Sequence, residues 1–133
     1  MNKEQEILIK QSIKDLPTDL LGPKASEQDI LSFESQFEVI PETYKWILKN
    51  CGKVLLGSDF TDNIQELEIS HQKFKEESSI ENGWTMKDVF IIGWDGAGNP
   101  FGIEKETGRI LIEYMGEGEV TVLANSIEEL IKP

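Results

Sequence analysis

The stretch from Val89 to Tyr114 constrains the fold of this 133-residue chain more than any other. Its apolar runs are short, rich in branched and aromatic residues, and separated by two turns that contain glycine. This pattern is typical of β-strands joined by tight connections. We therefore predict three pairing strands, at Val89–Trp94, Phe101–Glu104 and Arg109–Tyr114. The core residues of these strands are expected to include Ile91, Ile103, Ile110 and Ile112.

The first half of the chain has the apolar spacing of helices. Three such segments precede Pro17, follow Ser26 and follow Pro41. Ser26 with Asp29 three residues later is the pattern of a helix N-terminus, since each side chain can bond the other residue's backbone N–H. Gly52 is well placed to end the third helix. This half therefore predicts three helices.

The remaining predictions concern the second half and the fold class. We expect short strands at 54–56, 67–69 and 120–123, a helix over 70–79, and a closing helix that begins with a capping box of Ser126 and Glu129. Helices first and strands later predict an α+β fold. The chain should form a single domain over residues 1–133, with an antiparallel or mixed sheet from the second half and helices packed against it.

The charge balance is strongly acidic, with 25 Asp and Glu against 13 Lys and Arg and a net charge of −12. Nucleic acid and anionic lipid are bound through cations that neutralise phosphates, so neither is an expected partner. A solubility role accounts for such a charge equally well as a surface built for a basic protein.

The predicted compartment is the cytoplasm. Cys51 is the single cysteine and has no partner for an internal disulfide. No apolar run approaches the ~20 residues that cross a membrane, and the first residues lack the apolar core of a signal peptide.

The first turn of the strand unit resembles two kinds of ligand loop. Dinucleotide loops must lead into a helix, whereas Pro100 here leads into an extended segment. Counting a calcium loop from Asp95 puts Ala97 at a position that needs an oxygen ligand. We therefore expect no cofactor and no metal, and interpret Asp95 and Asn99 as capping their own turn through side-chain hydrogen bonds.

No catalytic group is predicted. His71 is the only histidine, which excludes zinc sites that need two histidines. A Cys51–His71 nucleophile pair is formally available, but Cys51 lies on the apolar face of its helix, where a thiol usually acts as a core residue. Pairs of carboxylates are frequent because acidic residues are abundant, and general acids need a pocket that raises their pKa. The chain is therefore predicted not to be an enzyme.

Two acidic loops that also contain aromatic residues are the candidate partner-binding sites, because aromatic anchors ringed by charge are typical of protein contacts. An ordinary polar loop explains each of them equally well. The candidate residues are Asp59, Phe60, Asp62, Glu113, Tyr114, Glu117 and Glu119.

The order of motifs resembles the SUKH superfamily. The resemblance covers residues 26–131 and rests on I-P-E-T-Y-K-W-I-L-K-N-C-G, I-I-G-W-D-G-A-G-N-P-F-G-I-E-K-E-T-G-R-I and A-N-S-I-E-E-L-I. This superfamily contains a fungal cell-wall-assembly regulator and many bacterial immunity proteins. The resemblance implies an α+β fold and a non-catalytic protein that binds and neutralises a cognate toxin, often a nuclease.

The expected partner is thus a toxin with a basic nuclease domain, occluded by an acidic surface. The alternative is a non-catalytic interaction or regulatory module of the same fold with a cellular partner. A small enzyme that uses carboxylates or Cys51 is the third hypothesis. Whether the chain forms a homodimer is left open.

Overall fold

The computed structural model describes residues 2–77, 86–114 and 119–131. Within these ranges the helices are α1 (Lys3–Ser12), α2 (Thr18–Leu21), α3 (Glu27–Gln36), α4 (Glu42–Asn50), α5 (Ile64–Glu77) and α6 (Ile127–Leu130). The strands are β1 (Leu55–Leu56), β2 (Asp59–Phe60), β3 (Val89–Trp94), β4 (Pro100–Glu104), β5 (Ile110–Glu113) and β6 (Val120–Ala124). The chain is an α+β protein, as predicted.

The four later strands form one antiparallel sheet in the order β3-β4-β5-β6. Each strand pairs with its neighbour in sequence, so the stretch from Val89 to Tyr114 supplies three adjacent strands, as its pattern predicts. β1 and β2 form a separate antiparallel hairpin. The order of the larger sheet makes β3 and β6 its two edges.

Gly102 lies where two strands approach closely. A Cβ atom at this position would lie 2.3 Å from the carbonyl oxygen of Phe90 on the neighbouring strand. Real Cβ contacts do not reach this distance, so only glycine fits this register. The glycine therefore has a packing role in the sheet.

The main core lies between one face of this sheet and the helices. Ile103, Ile110 and Ile112 of the sheet belong to it, together with Phe33 and Tyr44 of the helices. All are buried, and removing their apolar surface from water is the main favourable term in folding. The three helices predicted for the first half are confirmed as α1, α3 and α4.

Ile91 is buried on the other face of the sheet. It packs with Met86 and Leu111 in a smaller cluster, against which Phe74 of α5 also packs. Successive side chains of a strand point to opposite faces, so Ile91 cannot share the main core with its neighbours Phe90 and Ile92.

The predicted strand at 67–69 is wrong, because these residues lie inside α5. The helix begins after Asn63, whose Oδ1 accepts from the backbone N–H groups of Gln65 and Glu66, each at 3.0 Å. Glu66 in turn accepts from the backbone N–H of Asn63 at 3.0 Å. This capping box overrides the strand-like alternation of apolar residues that follows it.

The closing helix α6 begins at the predicted position with a different cap. The side chain of Ser126 makes no capping hydrogen bond. Instead, the Glu129 carboxylate accepts from the backbone N–H of Asn125 at 2.7 Å. The predicted capping box of Ser126 and Glu129 is therefore wrong, although Glu129 still satisfies a backbone donor beside the helix N-terminus.

Candidate functional site

An open cleft of about 720 Å³ lies on the core side of the four-stranded sheet. Its floor is formed by Phe101 of β4 and Ile112 of β5. One wall is the β1–β2 hairpin with the turn after β3, and the other is formed by β6 and α6. The lining residues are Leu56, Gly57, Ser58, Asp59, Asp95, Phe101, Ile112, Tyr114, Leu123, Ala124, Glu129 and Leu130.

The described lining of the cleft carries only negative charge. Asp59, Asp95 and Glu129 contribute three carboxylates, and no lysine or arginine is among these residues. Asp59 and Asp95 are half-buried at the hairpin wall, whereas Glu129 is exposed on the opposite wall. Like charges around a concave surface reinforce one another, so the cleft favours a cationic occupant.

Asp95 is held in place by its own turn. Its Oδ1 accepts from the backbone N–H groups of Ala97 at 2.9 Å and Asn99 at 2.8 Å, and its Oδ2 accepts from Asn99 Nδ2 at 3.0 Å. Partial burial raises the pKa of Asp95, but the hydrogen bonds from Asn99, Ala97 and Gly98 outweigh it and lower the pKa below its usual value. Asp95 is thus a fixed negative charge, and the predicted self-capped turn is confirmed.

Apolar surface lies beside these charges. Leu123 of β6 lines the cleft and is 40% exposed. Tyr114 also lines it and is half-buried against the main core. A ring and a leucine next to carboxylates can contact both the stem and the charged end of a long basic side chain. The arrangement therefore suits lysine or arginine side chains.

The family model of the SMI1 / KNR4 family (SUKH-1) matches residues 24–132 of the chain. This range includes all of the strands and every residue that lines the cleft. The chain belongs to the SUKH-1 family. A search of curated protein sequences found no significant match.

Two of the predicted site residues line the same cleft of this SUKH-1 domain. Asp59 is the first residue of β2, and Tyr114 directly follows β5. Phe60, next to Asp59 in sequence, is half-buried, with its ring centroid 5.3 Å from the Lys53 ammonium. Glu119 is exposed directly before β6. Glu117 lies outside the described residues.

Glu113 does not lie on the surface, contrary to the expectation for this acidic loop. It is 2% exposed, and its Oε1 accepts from the backbone N–H of Met86 at 2.7 Å. Glu113 is at the end of β5 and faces the smaller cluster, because strand side chains alternate between faces. Its carboxylate holds the segment at Met86 against the sheet.

Asp62 belongs to an internal polar network and does not line the cleft. Its carboxylate accepts a hydrogen bond from the Ser70 hydroxyl, whose oxygen accepts from Trp94 Nε1 at 2.9 Å. Its backbone carbonyl accepts from the Tyr44 hydroxyl, and its backbone N–H donates to Ile92 O at 2.7 Å. Asp62 therefore links α4, α5 and β3.

The pKa of the Asp62 carboxyl is raised to about 7. Burial is the largest cause, and the hydrogen bond from Ser70, which favours the ionised form, offsets it only in part. Glu66 raises the pKa further, while Lys53 lowers it. A carboxyl with a raised pKa is a feature of general acids, but this one bonds structural groups of the fold.

The side chains of Cys51 and His71 are both buried. Burial raises the pKa of the Cys51 thiol to about 11, so the reactive thiolate is disfavoured. His71 Nε2 lies 2.8 Å from the carbonyl oxygen of Ile91, and the ring packs against Phe33 and Phe90. Burial lowers the pKa of His71. Packing in the fold therefore accounts for both residues without a catalytic role.

Within residues 2–77, 86–114 and 119–131, no three His, Cys, Asp or Glu side chains are grouped to hold a metal ion. No described helix combines the length and apolarity needed to span a bilayer.

The cleft includes Glu129 and Asp95, which the sequence does not single out as partner-binding residues. The pair Glu128–Glu129 resembles ordinary surface charge, and the sequence pattern explains Asp95 by the cap of its turn. The available signal was the strongly acidic segment 119–131, which contains three glutamates and no cation. Only the pairing of β6 with β5 and the packing of α6 bring this segment to the cleft that Asp59 also lines.

Proposed function

We propose that this SUKH-1 domain is an immunity protein, acting in the cytoplasm, that binds a cognate bacterial toxin and neutralises it by occluding its basic surface. The observation that carries the proposal is the cleft, whose described lining offers three carboxylates, an apolar floor and no cation. Family membership supports it, since the SUKH resemblance implies non-catalytic protein binding.

The rest of the charge distribution also favours a basic partner. Acidic residues outnumber basic ones by 25 to 13, and in the described part of the chain five of the basic side chains are already paired with the chain's own carboxylates. A nuclease toxin must carry a cationic groove for phosphates. Opposite fields speed the encounter of two such proteins and align them before contact.

A second candidate function is a regulatory module that binds a cellular protein. It is favoured by the same family assignment, because the superfamily includes a regulator of cell-wall assembly. Both functions use the cleft and require no catalysis. A toxin gene directly beside the gene for this chain would favour the immunity function, and a solitary gene would favour the regulatory one.

The enzyme hypothesis draws little support from the site. The carboxyl with a pKa near 7, Asp62, lies within the fold and not in the cleft. The Cys51 thiol is buried in the main core. We infer that the domain acts by binding alone.

Co-expression tests the proposed function. Cells that express the toxin encoded beside this gene should stop growing, and co-expression of the wild-type chain should restore growth. When the chain is co-expressed with an inactivated copy of the same toxin, the two proteins should co-purify. Normal expression of a folded chain that neither restores growth nor binds the toxin would contradict the proposal.

A further inference from the structure

The two edges of the four-stranded sheet differ in how they are covered. At the β3 edge, Ile92 O accepts from the backbone N–H of Asp62 at 2.7 Å, and Ile91 O accepts from His71 Nε2 at 2.8 Å. At the β6 edge, no described residue makes a backbone hydrogen bond to the side that faces away from β5. β6 is thus the edge that the described part of the chain leaves available.

β6 also has the composition of an edge strand that can pair with a further strand. It reads Val-Thr-Val-Leu-Ala and contains neither lysine nor proline, the residues that commonly protect edge strands. Val120, Val122 and Leu123 are 37%, 45% and 40% exposed. The register shifts between Ile110 and Leu111, so the irregularity lies toward Ala124, and the strand from Val120 to Val122 pairs regularly.

The charges around β6 indicate which chain would pair with it. Glu119 precedes the strand, Glu128 and Glu129 follow it, and no cation lies between 119 and 131. Leu123 and Glu129 also line the acidic cleft, so the edge and the cleft are continuous. A second copy of this chain would bring a further charge of −12 to the same place. An extended segment with lysine or arginine is complementary instead.

We propose that β6 is the docking strand for an extended basic segment of the partner, which adds to the sheet edge and places a cationic side chain in the cleft. Backbone hydrogen bonds would supply affinity, and the cleft would supply selectivity for the cation. The inference rests on the proposed function, because it describes how the basic partner binds, but it can be tested without the toxin.

The probes are three synthetic peptides. The first alternates lysine and valine, the second alternates glutamate and valine, and the third is the lysine–valine peptide with alternate backbone nitrogens methylated. Titration of the ¹⁵N-labelled chain should show binding of the first peptide at least about tenfold tighter than either control. Equal binding of the first and third peptides would overturn strand addition, and equal binding of the first and second would overturn the charge preference. No binding of the first peptide would overturn both.

Hydrogen exchange locates the pairing. In the complex with the lysine–valine peptide, alternate amides of Val120–Ala124, those not bonded to β5, should exchange at least about tenfold more slowly than in the free chain. Unchanged exchange at these amides, with binding intact, would place the peptide elsewhere and overturn the proposal.

Proline substitutions provide a second measurement. Neighbouring N–H groups of a strand point to opposite edges, so one of Thr121→Pro and Val122→Pro removes a donor from the free edge and the other from the β5 ladder. The variant with the higher melting temperature identifies the free edge, and it should lose peptide binding at least about tenfold. Retained binding would contradict strand addition. Failure of toxin rescue with intact peptide binding would reject the proposed function alone.

Discussion

Asp59 and Tyr114 line the same cleft, although one lies in the β1–β2 hairpin and the other follows β5. The sheet brings them together because β4 and β5 form the floor between the hairpin wall and β6. The pair places a carboxylate and an aromatic ring on one concave surface. This combination is the basis for expecting a basic protein partner.

Salt should slow the binding of the partner. The net charge of −12 attracts a basic protein over a distance that falls from about 10 Å at 0.1 M ionic strength to about 3 Å at 1 M. The association rate constant with the toxin should therefore drop at least about tenfold over this range, with a smaller change in the dissociation rate constant. Stopped-flow fluorescence measures both. An association rate that is independent of salt would exclude electrostatic steering.

Leu123→Ala should weaken partner binding at least about tenfold, because the partner would then bury less apolar surface, at about 0.8 kcal/mol for each methylene group removed. Leu31 on α3 is the matched control, since it is also an exposed leucine, at 60%, and lies outside the cleft. Neither substitution should change the free energy of unfolding by more than about 1 kcal/mol. Titration calorimetry compares the two variants, and an equal effect of both would remove Leu123 from the binding site.

Asp62→Asn should remove a pH dependence of stability. The folded-state pKa of Asp62 is raised to about 7 by burial, whereas the unfolded value is about 3.9. The folded state therefore binds the proton more tightly, and the wild-type free energy of unfolding should fall as pH rises from about 4 to about 7. The asparagine keeps an acceptor for Ser70 and does not ionise.

At pH 8 the Asp62→Asn variant should be more stable than the wild type by at least about 1 kcal/mol, toward a limit of about 4 kcal/mol for the full shift. His71 acts in the opposite direction, because its lowered pKa makes stability fall as pH drops below about 6.5. Both proteins contain His71, so the difference between their urea-unfolding curves isolates Asp62. A constant difference from pH 4 to 8 would show that Asp62 does not titrate in this window.

Gly102→Ala should destabilise the sheet by about 3 kcal/mol, because the added Cβ would meet the Phe90 carbonyl oxygen at 2.3 Å. Gly96→Ala is the control, since a Cβ there has no described atom within 4 Å and its φ is not positive. Thermal unfolding followed by circular dichroism compares them. If both variants melt at the same temperature, the close approach of the strands at Gly102 is not a constraint.

The elements that could be predicted are those that a local pattern determines. Val89–Trp94 alternates between two buried clusters, and Ser26 with Asp29 forms the expected capping box. The start of α5 is not predictable from the apolar pattern, because the alternation after Asn63 resembles a strand. The cap that decides the outcome is a single pair, Asn63 and Glu66.

The site was predictable only in part. Asp59 and Tyr114 could be selected because each lies in a segment that combines carboxylates with an aromatic residue. The burial of Glu113 and Asp62 depends on contacts with Met86 and with Ser70, which are distant in sequence. Glu129 enters the site only through the packing of α6, and no local pattern distinguishes it from other surface carboxylates.

The most direct test of the acidic cleft is the affinity of the toxin encoded beside this gene for two charge-reversed variants. Asp59→Lys with Glu129→Lys changes two carboxylates of the cleft, and Asp15→Lys with Glu106→Lys changes two exposed carboxylates outside it. Both variants alter the net charge equally. The cleft variant should bind at least about 100-fold more weakly than the control variant, a difference of about 2.7 kcal/mol. Equal affinities of the two folded variants would contradict binding through the cleft.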